Sequence, residues 1–199
     1  MPAETKDRIV DATAELFRRQ GYTGTGVKQI VAEANAPFGS LYHFFPGGKT
    51  ELGEEVIRTS GAMYLELFAT IAGAAPDVET AIADFFDGAA ETLRDTDYAD
   101  ACPIATVALE VASTSEPLRK ATADVFEGWM AAATAYFTAA GIDEERAREV
   151  ALEMLMLLEG AFLFSRAWKS TQPMEIAGRA AASAVREALP RRPRPRRRT

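Results

Sequence analysis

The sequence predicts an all-α chain of about nine helices. Three observations carry that expectation. Apolar residues recur at three- and four-residue spacing through most of the chain. Pro, Gly, Asn and Asp fall where those runs stop or start. No stretch alternates apolar and polar residues long enough to build a convincing strand.

Thr5 is placed to cap a first helix running to about Gln20, with Ile9, Val10, Thr13, Leu16 and Phe17 as its buried stripe. Gly21 ends it, and Tyr22 is expected to pack back on the same unit. Thr25 is a candidate N-cap for a short helix over 27–34 that turns Ile30, Val31 and Ala34 inward. Asn35-Ala36 makes a tight turn, because Asn tolerates the left-handed region that ends helices. Pro37 suits the first position of the next helix, which runs through Phe45 with Leu41, Phe44 and Phe45 facing inward. Pro46-Gly47-Gly48 stops it.

A long helix follows from Lys49 to about Ile71, with Glu51, Glu54 and Glu55 favourably placed near its N-terminus. Leu52, Val56, Met63, Leu67 and Ile71 recur along it. Further helices are expected over 77–94, 103–112, 117–140, 143–168 and 173–189, with a polar loop over 95–101. The centre of the 143–168 helix, MLMLLEGAFLF, is apolar nearly all round, which predicts burial on more than one side. The tail, RRPRPRRRT, is too charged and too rich in Pro to fold alone.

A chain with 48% hydrophobic residues and 26% charged ones has enough apolar material for a packed core. No apolar run approaches the ~18 residues of a membrane span, and MPAETKDRIV does not resemble a leader peptide. A cytoplasmic protein with no membrane partner is expected. The one cysteine, Cys102, cannot form an internal disulfide. The net charge of −7 is unevenly spread. Residues 1–50 hold six basic and five acidic side chains, and the tail over 191–199 holds six Arg. The acidic excess therefore lies wholly in the middle, which points to two parts with different partners.

The stretch VKQIVAEANAPFGSLYHFFPGGK, Val27 to Lys49, reads as a helix-turn-helix, whose second helix enters the DNA major groove. Residues 9–58 resemble the DNA-binding domain of the TetR family of transcriptional regulators. Ala36 to Lys49, APFGSLYHFFPGGK, and Cys102 to Glu110, CPIATVALE, are most similar to its LmrA/YxaF-like subgroup of multidrug-resistance repressors. The chain departs from the family's usual pattern at Asn35, where Gly is frequent, and at Phe38, where a basic or polar residue is.

The resemblance implies a DNA-binding domain over about 1–48 and an effector-binding and dimerisation domain over about 49–190; by its composition the Arg-rich tail over 191–199 is either a solvated disordered end or a sequence-independent phosphate contact. It implies double-stranded operator DNA as a partner. Lys28 and Gln29 would lie near the duplex, and Thr25 would offer its hydroxyl or N–H to a phosphate. Pro37, Phe38, Gly39 and Ser40 would sit at the reading end of the recognition helix. Tyr42, His43 and Lys49 would contact phosphates, which position the protein without specifying sequence. Phe38 either touches thymine methyl groups or folds back on the small core.

The resemblance also implies a homodimer, formed through the helices at 143–168 and 173–189, and a small hydrophobic or aromatic effector. The candidate effector contacts are Met63, Leu67, Phe68, Phe86, Cys102, Glu110, Phe126, Trp129, Met130 and Phe162; plain core packing is the competing reading for the apolar ones. Glu110 and Glu159 stand out as acids inside apolar runs, able to meet a cationic or hydroxylated ligand or a basic partner. Cys102 has no resolving cysteine or basic neighbour in sequence, which favours a packed or cavity-lining thiol over a redox sensor.

An enzyme is not expected. One His, one Cys and no metal-ligand spacing leave no catalytic constellation and call for no cofactor. The reading is a repressor that binds a palindromic operator as a dimer and is released by its effector. The alternative is a helical small-molecule-binding protein without specific DNA recognition.

Overall fold

The computed structural model describes residues 2–190, which form nine α-helices and no strand. They are α1 (Pro2–Gln20), α2 (Val27–Glu33), α3 (Phe38–Phe44), α4 (Lys49–Ala74), α5 (Val78–Asp95), α6 (Pro103–Val111), α7 (Glu116–Ala139), α8 (Glu144–Trp168) and α9 (Gln172–Ala188). The expectation for the tail over 191–199 lies outside the described residues.

Most breaks have the expected chemistry. Asn35 takes a φ of 46° between α2 and α3, and Gly21 takes 75° after α1. Asp143 accepts the Glu145 N–H at 3.1 Å to cap α8, and Asp77 accepts the Thr80 N–H at 2.8 Å to cap α5. Pro103 opens α6. Three expectations about helix starts do not hold. Thr5 lies inside α1, which begins at Pro2. Pro37 is the N-cap of α3 rather than its first helical residue. Thr25 does not cap α2; Gly26 occupies that position, and the Thr25 hydroxyl donates instead to the Gly21 carbonyl at 2.6 Å.

Two packed cores result. The first joins Ile9 and Phe17 of α1, Ile30 of α2 and Leu41 of α3 to Leu52 and Ile57 of α4. It continues without a break into Ile104 and Val107 of α6 and Leu118 of α7. The three N-terminal helices therefore share their interior with the body of the protein. The second core joins Ile82, Phe86 and Leu93 of α5 to Phe137 of α7, Met154 and Leu158 of α8, and Met174 and Val185 of α9. Helix α4 spans both, because Phe68 near its end packs in the second core.

Helix α8 departs from the expected burial on every side. Ala147, Ala151, Met154, Leu158 and Ala161 are buried, but Leu152, Met156, Leu163, Phe164 and Trp168 are exposed.

Small residues set the closest helix crossing in the second core. A Cβ built on Gly178 of α9 would stand 2.7 Å from the Phe86 Cβ, which lies too near its own backbone to swing away. Gly178→Ala is expected to destabilise the protein by about 1–3 kcal/mol, the usual cost of overpacking. Gly73→Ala, where an added Cβ meets nothing within 4 Å, should be neutral or stabilising by up to about 1 kcal/mol. Urea unfolding of the two variants checks the pair, and equal midpoints would contradict the packing argument.

Candidate nucleic-acid interface and internal cavity

Helix α3 is anchored by one face and open on the other. Leu41 and Phe45 are buried against α1 and α2. Phe38 is 50% exposed and Tyr42 is 48% exposed, their rings 5.9 Å apart. Pro37, Gly39 and His43 are also exposed, and Ser40 is half-buried. An added Cβ at Gly39 would meet nothing within 4 Å, so the backbone is open to a close approach there. Of the two readings of Phe38, the outward one is found. The His43 ring lies 4.9 Å from that of Phe44, and no group of metal-ligating side chains occurs among the described residues.

On α2, Lys28 is exposed and makes no ion pair among the described residues. Gln29 is exposed and exchanges amide hydrogen bonds with Gln20 of α1.

Two of the expected phosphate contacts are committed inward. Thr25 is buried, its hydroxyl donating to Gly21 and its N–H to the Tyr22 carbonyl at 3.1 Å. Lys49 donates to the carbonyls of Tyr22 and Thr25, both at 2.9 Å, with its ammonium 4.0 Å from the Tyr22 ring centre. Burial holds the Lys49 pKa below its ordinary value, opposed by the nearby Glu110 carboxylate. Lys49 thus braces the turn between α1 and α2. Glu110 completes the brace by accepting the Thr23 N–H at 2.6 Å. It was a candidate effector contact, and this bond places it at the surface turn instead.

A cavity of about 350 Å³ lies between α4, α5, α7 and α8. Leu67, Phe68, Cys102, Trp129, Met130 and Phe162 line it. The other candidate contacts fall elsewhere. Met63 is 49% exposed on the outer face of α4. Phe86 is fully enclosed beneath α9. Phe126 packs edge-on behind Trp129 at 5.8 Å and lines an adjoining groove with Arg148 and Leu152, which shares Met130 and Glu159 with the cavity. Apolar spacing cannot separate a side chain that meets a cavity from one that meets another helix.

Five polar side chains on the cavity wall escaped the sequence reading as a set: Arg18, Tyr64, Thr92, Asp100 and Glu159. Arg18 comes from α1, so the helix-turn-helix unit itself contributes to the wall. Its guanidinium pairs with Asp100 at 3.2 Å and with Glu15. Asp100 sits in a loop held by Arg166 of α8, which donates to the carbonyls of Tyr98 at 3.2 Å and Ala99 at 3.0 Å. Only Glu159 carried a signal in sequence, as an acid interrupting an apolar run. Nothing in the spacing of the others connects them.

Glu159 Oε1 has no solvent surface and no hydrogen-bond partner among the described residues. Burial pushes the Glu159 pKa up to about 7, slightly opposed by hydrogen bonding to the Cys102 thiol. Burial, and then the Glu159 charge, push the thiol well above its ordinary range. Cys102 is therefore a protonated wall residue rather than a reactive thiolate. Its sulfur also accepts the Ala105 N–H at 3.5 Å, capping α6.

An outward-facing helix-turn-helix joined to an all-helical body with an apolar cavity defines a class of one-component DNA-binding regulators. The chain belongs to the TetR family of bacterial regulatory proteins: residues 9–56 match the family's N-terminal domain, and residues 79–180 match the C-terminal domain of LmrA/YxaF-like transcriptional regulators. It is a helix-turn-helix DNA-binding transcriptional regulator and not an enzyme. It is 33% identical to the uncharacterised HTH-type transcriptional regulator YxaF of Bacillus subtilis, over 86% of this chain and 90% of that one. It is 31% identical to the HTH-type transcriptional regulator LmrA of the same organism, over 86% of this chain and 91% of that one. The crystal structure of regulatory protein TetR from Rhodobacter sphaeroides shares the fold, with a TM-score of 0.80 and 20% identity over 89% of this chain and 97% of that one. Among the described residues, no helix is long and apolar enough to cross a membrane.

The buried carboxyl makes stability depend on pH. An acid whose pKa is raised in the folded state holds its proton more tightly there than in the unfolded chain. Its contribution is complete below the ordinary Glu value of 4.5 and is lost as pH rises through about 7. Above that range the cost approaches about 3 kcal/mol. Glu159→Gln is expected to be more stable than the parent at pH 8 and to lose that advantage below pH 5. Thermal melting across that range tests this, and a parent that gains on the variant as pH rises would refute it.

Proposed function

We propose that the protein is a homodimeric, effector-released repressor of a palindromic operator. The observation that carries this reading is the outward face of α3. Phe38, Gly39, Tyr42 and His43 stand free of the core while Leu41 and Phe45 hold the helix in place. The DNA-reading part is the unit over about 1–48, and the body over about 49–190 dimerises and takes the effector. In this reading Pro37, Phe38, Gly39 and Ser40 face base edges, with Phe38 against thymine methyl groups. Lys28, Gln29, Tyr42 and His43 meet the backbone or its neighbourhood. Thr25 and Lys49 serve by shaping the unit. The setting is cytoplasmic, and drug-resistance genes are the class of target that the resemblance to LmrA suggests.

The dimer reading is supported by the apolar face that one chain leaves open. Leu152, Met156, Leu163, Phe164 and Trp168 on α8, with Ile176 on α9, are all about half exposed or more. Large apolar side chains clustered on the exposed face of a soluble protein mark association sites. Pairing there joins two reading units, and specific recognition needs two half-sites about one DNA turn apart, ~34–36 Å.

The cavity supports the effector reading, since its walls are largely apolar and aromatic and its volume suits one small ring system. Arg18 gives it a direct line to DNA binding. A ligand that displaces Arg18 or Asp100 shifts α1, and with it the spacing of the two heads. It acts only through its difference in affinity for the two states.

Selection of bound fragments from a random DNA pool should return an inverted repeat. Lys28→Ala should weaken binding to all sequences alike and lower the slope of log affinity against log salt by about 1. Phe38→Ala should instead relax the preference at one base position and leave that slope unchanged. Failure to retain any DNA at low salt would favour the alternative, a small-molecule-binding protein without DNA recognition. Phe164→Glu should convert the dimer to monomers in analytical ultracentrifugation and abolish operator binding with the helical circular dichroism intact.

A further inference from the structure

Gln20 is the last residue of α1, and its side chain reaches across to α2. Its amide nitrogen donates to Gln29 Oε1 at 2.7 Å, to the Gly24 carbonyl at 3.1 Å and to the Thr25 hydroxyl oxygen at 3.3 Å. Gln29 of α2 donates its own amide back to Gln20 Oε1 at 3.3 Å. The Thr25 hydroxyl proton goes to the Gly21 carbonyl, so its oxygen is free to accept. These bonds settle which way both amides face. A carbonyl can only accept, so Gly24 fixes the nitrogen of Gln20 toward the turn. That nitrogen then requires the oxygen of Gln29 opposite it, and the oxygen of Gln20 requires the nitrogen of Gln29. An amide nitrogen carries two N–H groups, and the pairing uses one of them. The second N–H of Gln29 has no partner among the described residues, and the side chain is exposed, next in sequence to the exposed Lys28.

We propose that Gln20 is a positioning residue for DNA binding: it holds the Gln29 amide with an N–H turned outward to a backbone phosphate oxygen and touches no nucleotide itself. This rests on the reading that α2, the first helix of the motif, crosses the DNA backbone, and it adds the residue that orients a contact there. Phosphate oxygens only accept, so a Gln29 amide turned the other way would set oxygen against oxygen. A free glutamine side chain has several rotatable bonds and two amide orientations, and ordering it at the moment of binding weakens the complex. Gln20 does that ordering in the folded protein before DNA arrives. The anchor is the turn itself: Gly24 and Thr25 lie between α1 and α2, so the amide pair stays in register with the two helices it joins. The contact is neutral, so it releases no counterion, and a phosphate contact reads no base.

The test uses the full chain and the duplex returned by selection from a random pool, with affinity read by fluorescence anisotropy. Gln29→Ala is expected to weaken binding about tenfold, the effect of losing a hydrogen bond to a charged group. Gln20→Ala and Gln20→Met should each weaken it about threefold, the second keeping an unbranched stem of similar length and helix preference. In the Gln29→Ala background both Gln20 changes should have no further effect, because no amide is left to orient. A role confined to bracing the turn would weaken binding equally in either background, and that result would overturn the proposal. The slope of log affinity against log salt should match the parent in all of these variants, whereas Lys28→Ala lowers it. A repeat selection with Gln29→Ala should return the same sequence; a changed preference at one position would place Gln29 on a base edge and overturn the phosphate assignment. Undiminished affinity in Gln29→Ala, or in Gln20→Met, would also overturn it. A parent chain that retains no duplex at low salt would remove the DNA-reading assignment as well.

Discussion

Two carboxylates on the body of the protein hold the DNA-reading helices in place. Glu110 of α6 caps the turn after α1, and Asp100, just before α6, grips Arg18. Between them the first core runs continuously from Ile9 through Ile57 to Leu118. The reading unit is therefore not a bead on a linker. A unit of one longer helix and two seven-residue helices buries little apolar surface by itself, and such short helices are marginal without tertiary packing. Sharing a core with α4, α6 and α7 supplies that packing. It also puts α1 in direct contact with α4 and α6 of the body.

The polar residues of the head divide into those that build it and those it presents. Thr25 and Lys49 are donors of the kind that bind phosphates, yet both are spent on backbone carbonyls at the turn around Tyr22. A buried carbonyl without a donor costs about as much as a lost hydrogen bond, so a tight turn makes first claim on nearby donors. Lys28, Tyr42 and His43 take no part in bonding that turn, and their side chains stay exposed. The division follows from local backbone need rather than from residue type.

The cavity shows a comparable economy. Its apolar walls come from α4, α5, α7 and α8, while its polar groups come from α1, α4, α5, α8 and the α5–α6 loop. The ion pair at one side ties the cavity wall to α1, and Glu159 Oε1 has no partner among the described residues. Leaving a buried acid unsatisfied lowers stability near neutral pH. Such groups persist in proteins where they serve a ligand.

Helix periodicity and turn chemistry made the architecture legible from the sequence: the helix-turn-helix, the Asn35 turn and the order of the helices. These are local properties, set by backbone preferences within a few residues. The distinction between cavity and core was not legible, because Phe68 and Phe86 have the same chemistry and the same helical spacing, and only the helix packed opposite decides which meets empty space. Nor could the chain order reveal that Arg18 and Asp100 meet, or that Glu110 serves a turn far away in sequence, since long-range pairs follow from how helices cross. By itself the sequence determined which segments are helical and which motif reads DNA. Tertiary packing alone decided which donors are consumed, which face of α8 stays open and where the unpaired carboxyl lies, because burial belongs to the assembled chain and not to any residue in it.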